Sequence, residues 1–173
     1  DQFVCSGDPM QAIGISSPSG IAGTDFRWTR TDNPNLSGIP LSGDRLNLSG
    51  TFTNTAITPQ STIFTIEAYT EQGCISSETV TVTVKPRPKV SALPAAQNVC
   101  SGGTITPIDL NDDNGIATTA FSWTRNNTGN PVGISGSGSS DPITGPLTIT
   151  TGGQVSTTFT ITADADGCTD QTT

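Results

Sequence analysis

Cysteines are the residues of this chain with the plainest chemistry. Cys5, Cys74, Cys100 and Cys168 stand without a C-x-x-C pair, and the chain has no histidine. A zinc site built from four cysteines brings its ligands in close pairs, so this spacing points to disulfides formed in an oxidising compartment. Cys5 to Cys74 and Cys100 to Cys168 enclose loops of nearly equal length. A bridge within each half is therefore the natural first pairing, and loops that long would stabilise by about 4 kcal/mol on the chain-entropy account. The second chemical feature is oxygen-rich. Asp109, Asn111 and Asp113 lie in the run D-L-N-D-D-N-G, and Asp164 and Asp166 are further carboxylates able to complete a Ca2+ site. The run departs from an EF-hand loop, having Asn114 at the sixth position and Ala120 at the twelfth. A solvated turn is the competing reading, because Asn, Asp and Gly are ordinary turn residues. No other cofactor is expected.

Nothing else in the chain has the makings of catalysis. Without histidine there is no Ser-His-Asp or Cys-His arrangement. The acidic residues fall on turns and outward strand positions, where nothing would raise a carboxyl pKa. Lys85 and Lys89 are the only lysines, and both lie in a linker, which argues against a Lys–Asn isopeptide bond. The expectation is a protein that is not an enzyme. A net charge of −8 makes nucleic acid a poor partner. No run of 18 apolar residues offers a membrane span. The sequence opens at Asp1 with no signal peptide, so it reads as a mature or excised fragment whose export is inferred.

The elements that position these residues are written twice. Sliding the sequence over itself matches V-C-S-G at Val4 and Val99, Ile21-Ala22 with Ile116-Ala117, and F-R-W-T-R at Phe26 with F-S-W-T-R at Phe121. STIFTIEA from Ser61 matches STTFTITA from Ser156, and Gly73-Cys74 matches Gly167-Cys168. Alternation then gives strands. Phe26 with Trp28, and Phe121 with Trp123, share an inward face. Phe64, Ile66, Ala68 and their counterparts Phe159, Ile161, Ala163 face inward from another strand, and Val80, Val82 and Val84 from a third. Weaker strands are expected over 10–15, 45–48, 51–56, 104–110 and 146–150. Both tryptophans are expected in the core, and Arg30 and Arg125 are expected to snorkel with their stems over the sheet. The fold class that follows is all-β, two tandem immunoglobulin-like β-sandwiches, repeat 1 over 1–86 and repeat 2 over 87–173. K-P-R-P-K at 85–89 divides them as an extended linker, with Val90–Leu93 opening the second repeat. By the logic of the repeat, the first domain lacks its first strand and the second its last, and the parent protein continues in both directions. In an immunoglobulin-like strand order, the two cysteines of one repeat fall at opposite poles. A bond from Cys5 to Cys168, between repeats, is thus a second pairing that stays open beside the first.

The run V-C-S-G, aromatic-x-Trp-Thr, F-T-I, Gly-Cys and T-V-T-V-x-P-x-P resembles the PKD-like, immunoglobulin-type repeats of giant cell-surface proteins of Bacteroidota. These include SprB-type gliding-motility adhesins exported by type IX secretion. The resemblance covers essentially the whole chain. It implies an extracellular, cell-surface location and a role as a non-catalytic repeat of an adhesin or filament stalk, with neighbouring repeats as partners. The alternatives are a module that binds a glycan, protein or surface ligand, and an accessory domain of a secreted enzyme.

Overall fold

A computed structural model describes residues 1–17, 20–44 and 46–173. The described chain forms two compact units, Asp1–Pro86 and Arg87–Thr173. All regular structure in them is β.

In the first unit the strands are β1 (Gln2–Cys5), β2 (Ile13–Gly14), β3 (Thr24–Arg30), β4 (Leu36–Ser37), β5 (Ser42–Gly43), β6 (Asn47–Leu48), β7 (Thr53–Asn54), β8 (Gln60–Thr70) and β9 (Ile75–Lys85). One five-stranded sheet runs β1-β9-β8-β3-β5. Its spine is the long hairpin β8–β9, in which Phe64 stands opposite Val80 and Gln60 opposite Val84. β-branched residues on alternate positions suit this half-buried surface. The opposing layer is made of the short ladders β2–β6 and β4–β7 and the turns between them. Trp28, Phe52, Phe64, Val82 and Val84 meet Met10, Ile39 and Leu48 in the space between the layers. β1 is a finding the alternation did not foresee. Residues 2–5 pair parallel to the end of β9, Gln2 with Val82 and Val4 with Val84.

The second unit holds β10 (Val90–Leu93), β11 (Gly103–Thr104), β12 (Asp109–Asp112), β13 (Ala120–Arg125), β14 (Val132–Gly133), β15 (Ser137–Gly138), β16 (Pro146–Thr148), β17 (Phe159–Ala165) and β18 (Cys168–Thr172). Its main sheet is four-stranded, β15-β13-β17-β18, and β11-β16-β14 and β10-β12 supply the other layer. Trp123, Ile143, Leu147, Ile161 and Ala163 form the core with Ile105, Leu110 and Ile134.

The weaker expected strands are shorter than the alternation suggested. The stretch 10–15 is reduced to Ile13–Gly14, 51–56 to Thr53–Asn54, and 104–110 is split between β11 and β12. Of 45–48, Asn47–Leu48 is strand, and Arg45 lies outside the described residues, as do Pro18 and Ser19. Turns rich in Gly, Pro and Ser bend this layer and leave only two to four residues of pairing at a time.

Candidate functional site

The same constellation is built into each unit, around the aromatic-x-Trp-Thr-Arg strand. Alternation along β3 turns Phe26, Trp28 and Arg30 to one face, and along β13 it turns Phe121, Trp123 and Arg125. Both tryptophans are 5% exposed, while Phe26 and Phe121 are half-buried. Trp28 meets Phe64 edge-on at 5.6 Å, and Trp123 meets Phe159 in the same way at 5.7 Å. A glycine lies under each indole. A Cβ on Gly43 would come 2.6 Å from the Trp28 ring, and one on Gly138 would come 2.5 Å from Trp123.

The arginines depart from the sequence expectation. Arg30 and Arg125 do not snorkel: they are 9% and 5% exposed, head groups included. The Arg30 guanidinium donates to the carbonyls of Ile39 (2.8 and 3.0 Å), Pro40 (3.1 Å) and Thr31 (3.2 Å), and lies 5.4 Å over the Phe52 ring. Arg125 donates to Ile134 O at 2.6 Å and Pro131 O at 3.0 Å, with longer contacts to Ser135 O, Asn127 O and Thr157 Oγ1. The donors are thus met by carbonyl oxygens in a fork that only a planar guanidinium matches. This hub ties the turn at 39–40, or at 131–135, to the sheet strand that carries the tryptophan.

The cysteines differ within each unit. Cys5, at the end of β1, and Cys168, buried at the start of β18, are both disulfide-bonded. Cys74 and Cys100 are exposed free thiols. Neither repeat is closed by its own pair of cysteines, so the first pairing considered, Cys5–Cys74 with Cys100–Cys168, is not formed. The spacing was permissive, but equal loop length says nothing of where the two ends lie in a sandwich.

The oxygen-rich run forms β12 and the turn after it. Asp109, Asn111 and Asp113 are exposed along it, and the Asp113 carboxylate accepts from the Ser91 hydroxyl at 2.7 Å and faces Lys89 Nζ at 3.8 Å. Asp164 belongs to β17, where it stands opposite Ala120 and accepts from the Gly167 N–H at 2.8 Å. Among the described residues no group of three or more Asp, Glu, Cys or His side chains is gathered in a way that would hold a metal. The residue that organises this turn is one sequence reasoning passed over, Asp112. Its carboxylate accepts from the N–H groups of Lys89, Asn114 and Ile116 and from the Thr119 hydroxyl, at 2.7–3.0 Å. Burial alone would raise its pKa, but the four donors outweigh it and hold the carboxyl below its ordinary value. The clue in the sequence was D-x-N-G with a hydrophobic residue and Thr beyond it, the signature of an Asx turn.

A groove of about 470 Å3 opens in the second unit between residues 97–101 and residues 154–159, with Ile105, Ile108 and Ile161 at its floor. No helix of the described residues is long and apolar enough to cross a membrane.

No curated protein matches the sequence. Solved structures with a similar fold include a Photobacterium 2,6-sialyltransferase, 14% identical with a TM-score of 0.39, over 50% of this chain and 17% of that one. Another is a Bacteroides ovatus protein, SGBP-B of a mixed-linkage glucan utilization locus, 18% identical with a TM-score of 0.33, over 98% of this chain and 41% of that one. A third is the extracellular cadherin domains 1–4 of protocadherin gamma B7, 16% identical with a TM-score of 0.33, over 86% and 39%. The chain spans under half the length of each, and likenesses at this level carry no argument about activity. A family profile, the PKD-like domain, matches residues 2–88, half of the chain. With its Trp-bearing sandwich built twice, the chain belongs to the PKD-like domain family.

Proposed function

We propose that this chain is a non-catalytic structural stretch of an extracellular bacterial adhesin or filament stalk, in which successive PKD-like modules act as spacers and carry tension. Gliding motility and type IX secretion are the setting that the family resemblance suggests. The observation that supports this reading is the oxidation pattern: in each repeat one cysteine is bonded and its counterpart is a free, exposed thiol. Of the two pairings open from the sequence, we propose the bond between repeats, Cys5 with Cys168. Cys74 and Cys100 are then the positions that neighbouring repeats would use. Proteolytic mapping without reduction tests it. A linked peptide pair carrying Cys5 and Cys168 is expected, and a pair carrying Cys5 with Cys74 would overturn it. The alternatives, a ligand-binding module or an accessory domain of a secreted enzyme, would need an exposed aromatic platform or a cation-assisted pocket. Both tryptophans are taken up by the cores instead. Saturable binding of this chain on a glycan array would favour the alternative.

A further inference from the structure

Asn114-Gly115 is the only Asn-Gly step in the sequence, and the first repeat carries Ser19-Gly20 at the same place. The step is reactive for a simple reason. Glycine has no side chain to hinder its own amide nitrogen, so that nitrogen can approach the side-chain carbonyl of the asparagine before it. Both residues are exposed to water. A Cβ on Gly115 would meet nothing within 4 Å, so packing does not call for glycine there; the φ of +70° does.

The folded turn engages the atoms that such a reaction needs. Gly115 N–H, whose nitrogen would be the nucleophile, donates to Asp112 O at 2.9 Å. Asn114 Nδ2, which would leave, donates to Arg87 O at 2.9 Å. Asn114 N–H donates to Asp112 Oδ1 at 3.0 Å. The same Oδ1 accepts from Lys89 N–H at 2.9 Å, and Lys89 O accepts from Asp113 N–H at 2.8 Å. The attachment of residues 87–89 and the restraint on Asn114 are thus one network, centred on Asp112.

We infer that Asn114 is a deamidation site locked by this network, and that its conversion releases residues 87–89 from the turn. Once the turn opens, Gly115 N bonds to Asn114 Cγ and the Cγ–Nδ2 bond breaks. Ammonia leaves with the proton from the Gly115 amide, and a succinimide ring remains. Water then opens the ring at either carbonyl, giving aspartate or isoaspartate. Either product has lost the amide that donates to Arg87 O. Aspartate sets a carboxylate against that carbonyl and adds negative charge beside Asp112 and Asp113, which disfavours reclosing. Isoaspartate also lengthens the main chain by a carbon, which shifts Gly115 relative to Asp112 O.

The test incubates the full chain at mildly alkaline pH and follows the peptide carrying Asn114 by mass spectrometry, scoring both products. Conversion is expected in guanidinium chloride and is expected to be slower by at least about a hundredfold in the folded chain, where it waits for local opening. Asp112→Ala is expected to speed conversion in the folded chain by at least about tenfold. The wild-type comparison decides the matter even if that variant does not fold. No conversion in guanidinium chloride, or equal rates folded and unfolded, would overturn the inference, and an unchanged rate in a folded Asp112→Ala chain would remove Asp112 as the lock. Release is read separately from amide hydrogen exchange in Asn114→Asp. Exchange at Lys89 is expected to quicken by at least about tenfold while that at Trp123 in the main sheet stays as in wild type. Unchanged exchange at Lys89 would overturn the release. The cysteine pairing has no part in these outcomes, so a failure here would leave the proposed function standing.

Discussion

Replacing Arg125 by Met removes a buried guanidinium while keeping most of the aliphatic stem. Two of its hydrogen bonds are short and go to buried oxygens, Ile134 O at 2.6 Å and Pro131 O at 3.0 Å, and three more lie at 3.4–3.5 Å. The longer contacts are at the edge of what counts as a bond. Stranding a buried acceptor costs about 1–3 kcal/mol. The two well-made bonds therefore set the expected loss at about 2–6 kcal/mol. Against this stands the saving from no longer desolvating a cation that has no carboxylate beside it. If that saving dominated, as it does for some buried ion pairs, the Met variant would be neutral or more stable. Met offers these two buried carbonyls no donor in place of the guanidinium, so a net loss is the expected sign. In a unit of this size, each 1 kcal/mol shifts the melting temperature by about 4–8 °C. Urea unfolding followed by fluorescence, in a Trp28→Phe background so that Trp123 alone reports, measures the effect on the second unit. Arg125→Lys is expected to recover little, because an ammonium cannot reach Ile134 and Pro131 together. A loss below about 0.5 kcal/mol for the Met variant would refute the reasoning and leave the arginine as packing alone.

Gly43→Ala and Gly138→Ala each drive a methyl group into an indole ring at 2.6 or 2.5 Å and are expected to cost at least about 2 kcal/mol by thermal unfolding. Asp112→Ala removes an acceptor of four hydrogen bonds and is expected to cost about 2–4 kcal/mol, with Asp112→Asn intermediate. Because the folded pKa of Asp112 is lowered, its contribution is present above the unfolded value, about 3.9, and is lost as pH falls through the folded one. The gap between wild type and Asp112→Asn is thus expected to narrow in that acid window and to stay constant above it, as read from denaturation curves at stepped pH. Titration of the folded, unreduced chain with a thiol reagent is expected to find two reactive thiols, and Cys74→Ser with Cys100→Ser to leave none.

The repeat and the inward faces were legible because they are local. Phe26-x-Trp28 and Phe121-x-Trp123 announce their buried face by period two, and the Thr-Val alternation does the same for β9. That same period already placed Arg30 and Arg125 on the tryptophan face. The expectation that they would snorkel rested on the general habit of arginine and overlooked the pattern. What alternation could not supply were the carbonyls waiting for them, which come from turns six to ten residues away. β1 escaped notice because four residues offer too little alternation to read, and its pairing is with a strand some eighty residues on. Asp112 was masked by its neighbours: Asp109, Asn111 and Asp113 look more like ligands, yet the donors converge on the residue between them. The state of the cysteines depends on what each one meets in the folded chain, which no spacing encodes.

Stretching single molecules between their termini, before and after reduction, tests the structural role most directly. If Cys5 is bonded to Cys168 as proposed, force bypasses everything between them, so the oxidised chain is expected to show no unfolding extension. Reduction is then expected to release on the order of 550 Å, the contour of the residues enclosed. An oxidised chain that lengthens as far as the reduced one would contradict the proposal that these repeats are clasped to carry tension.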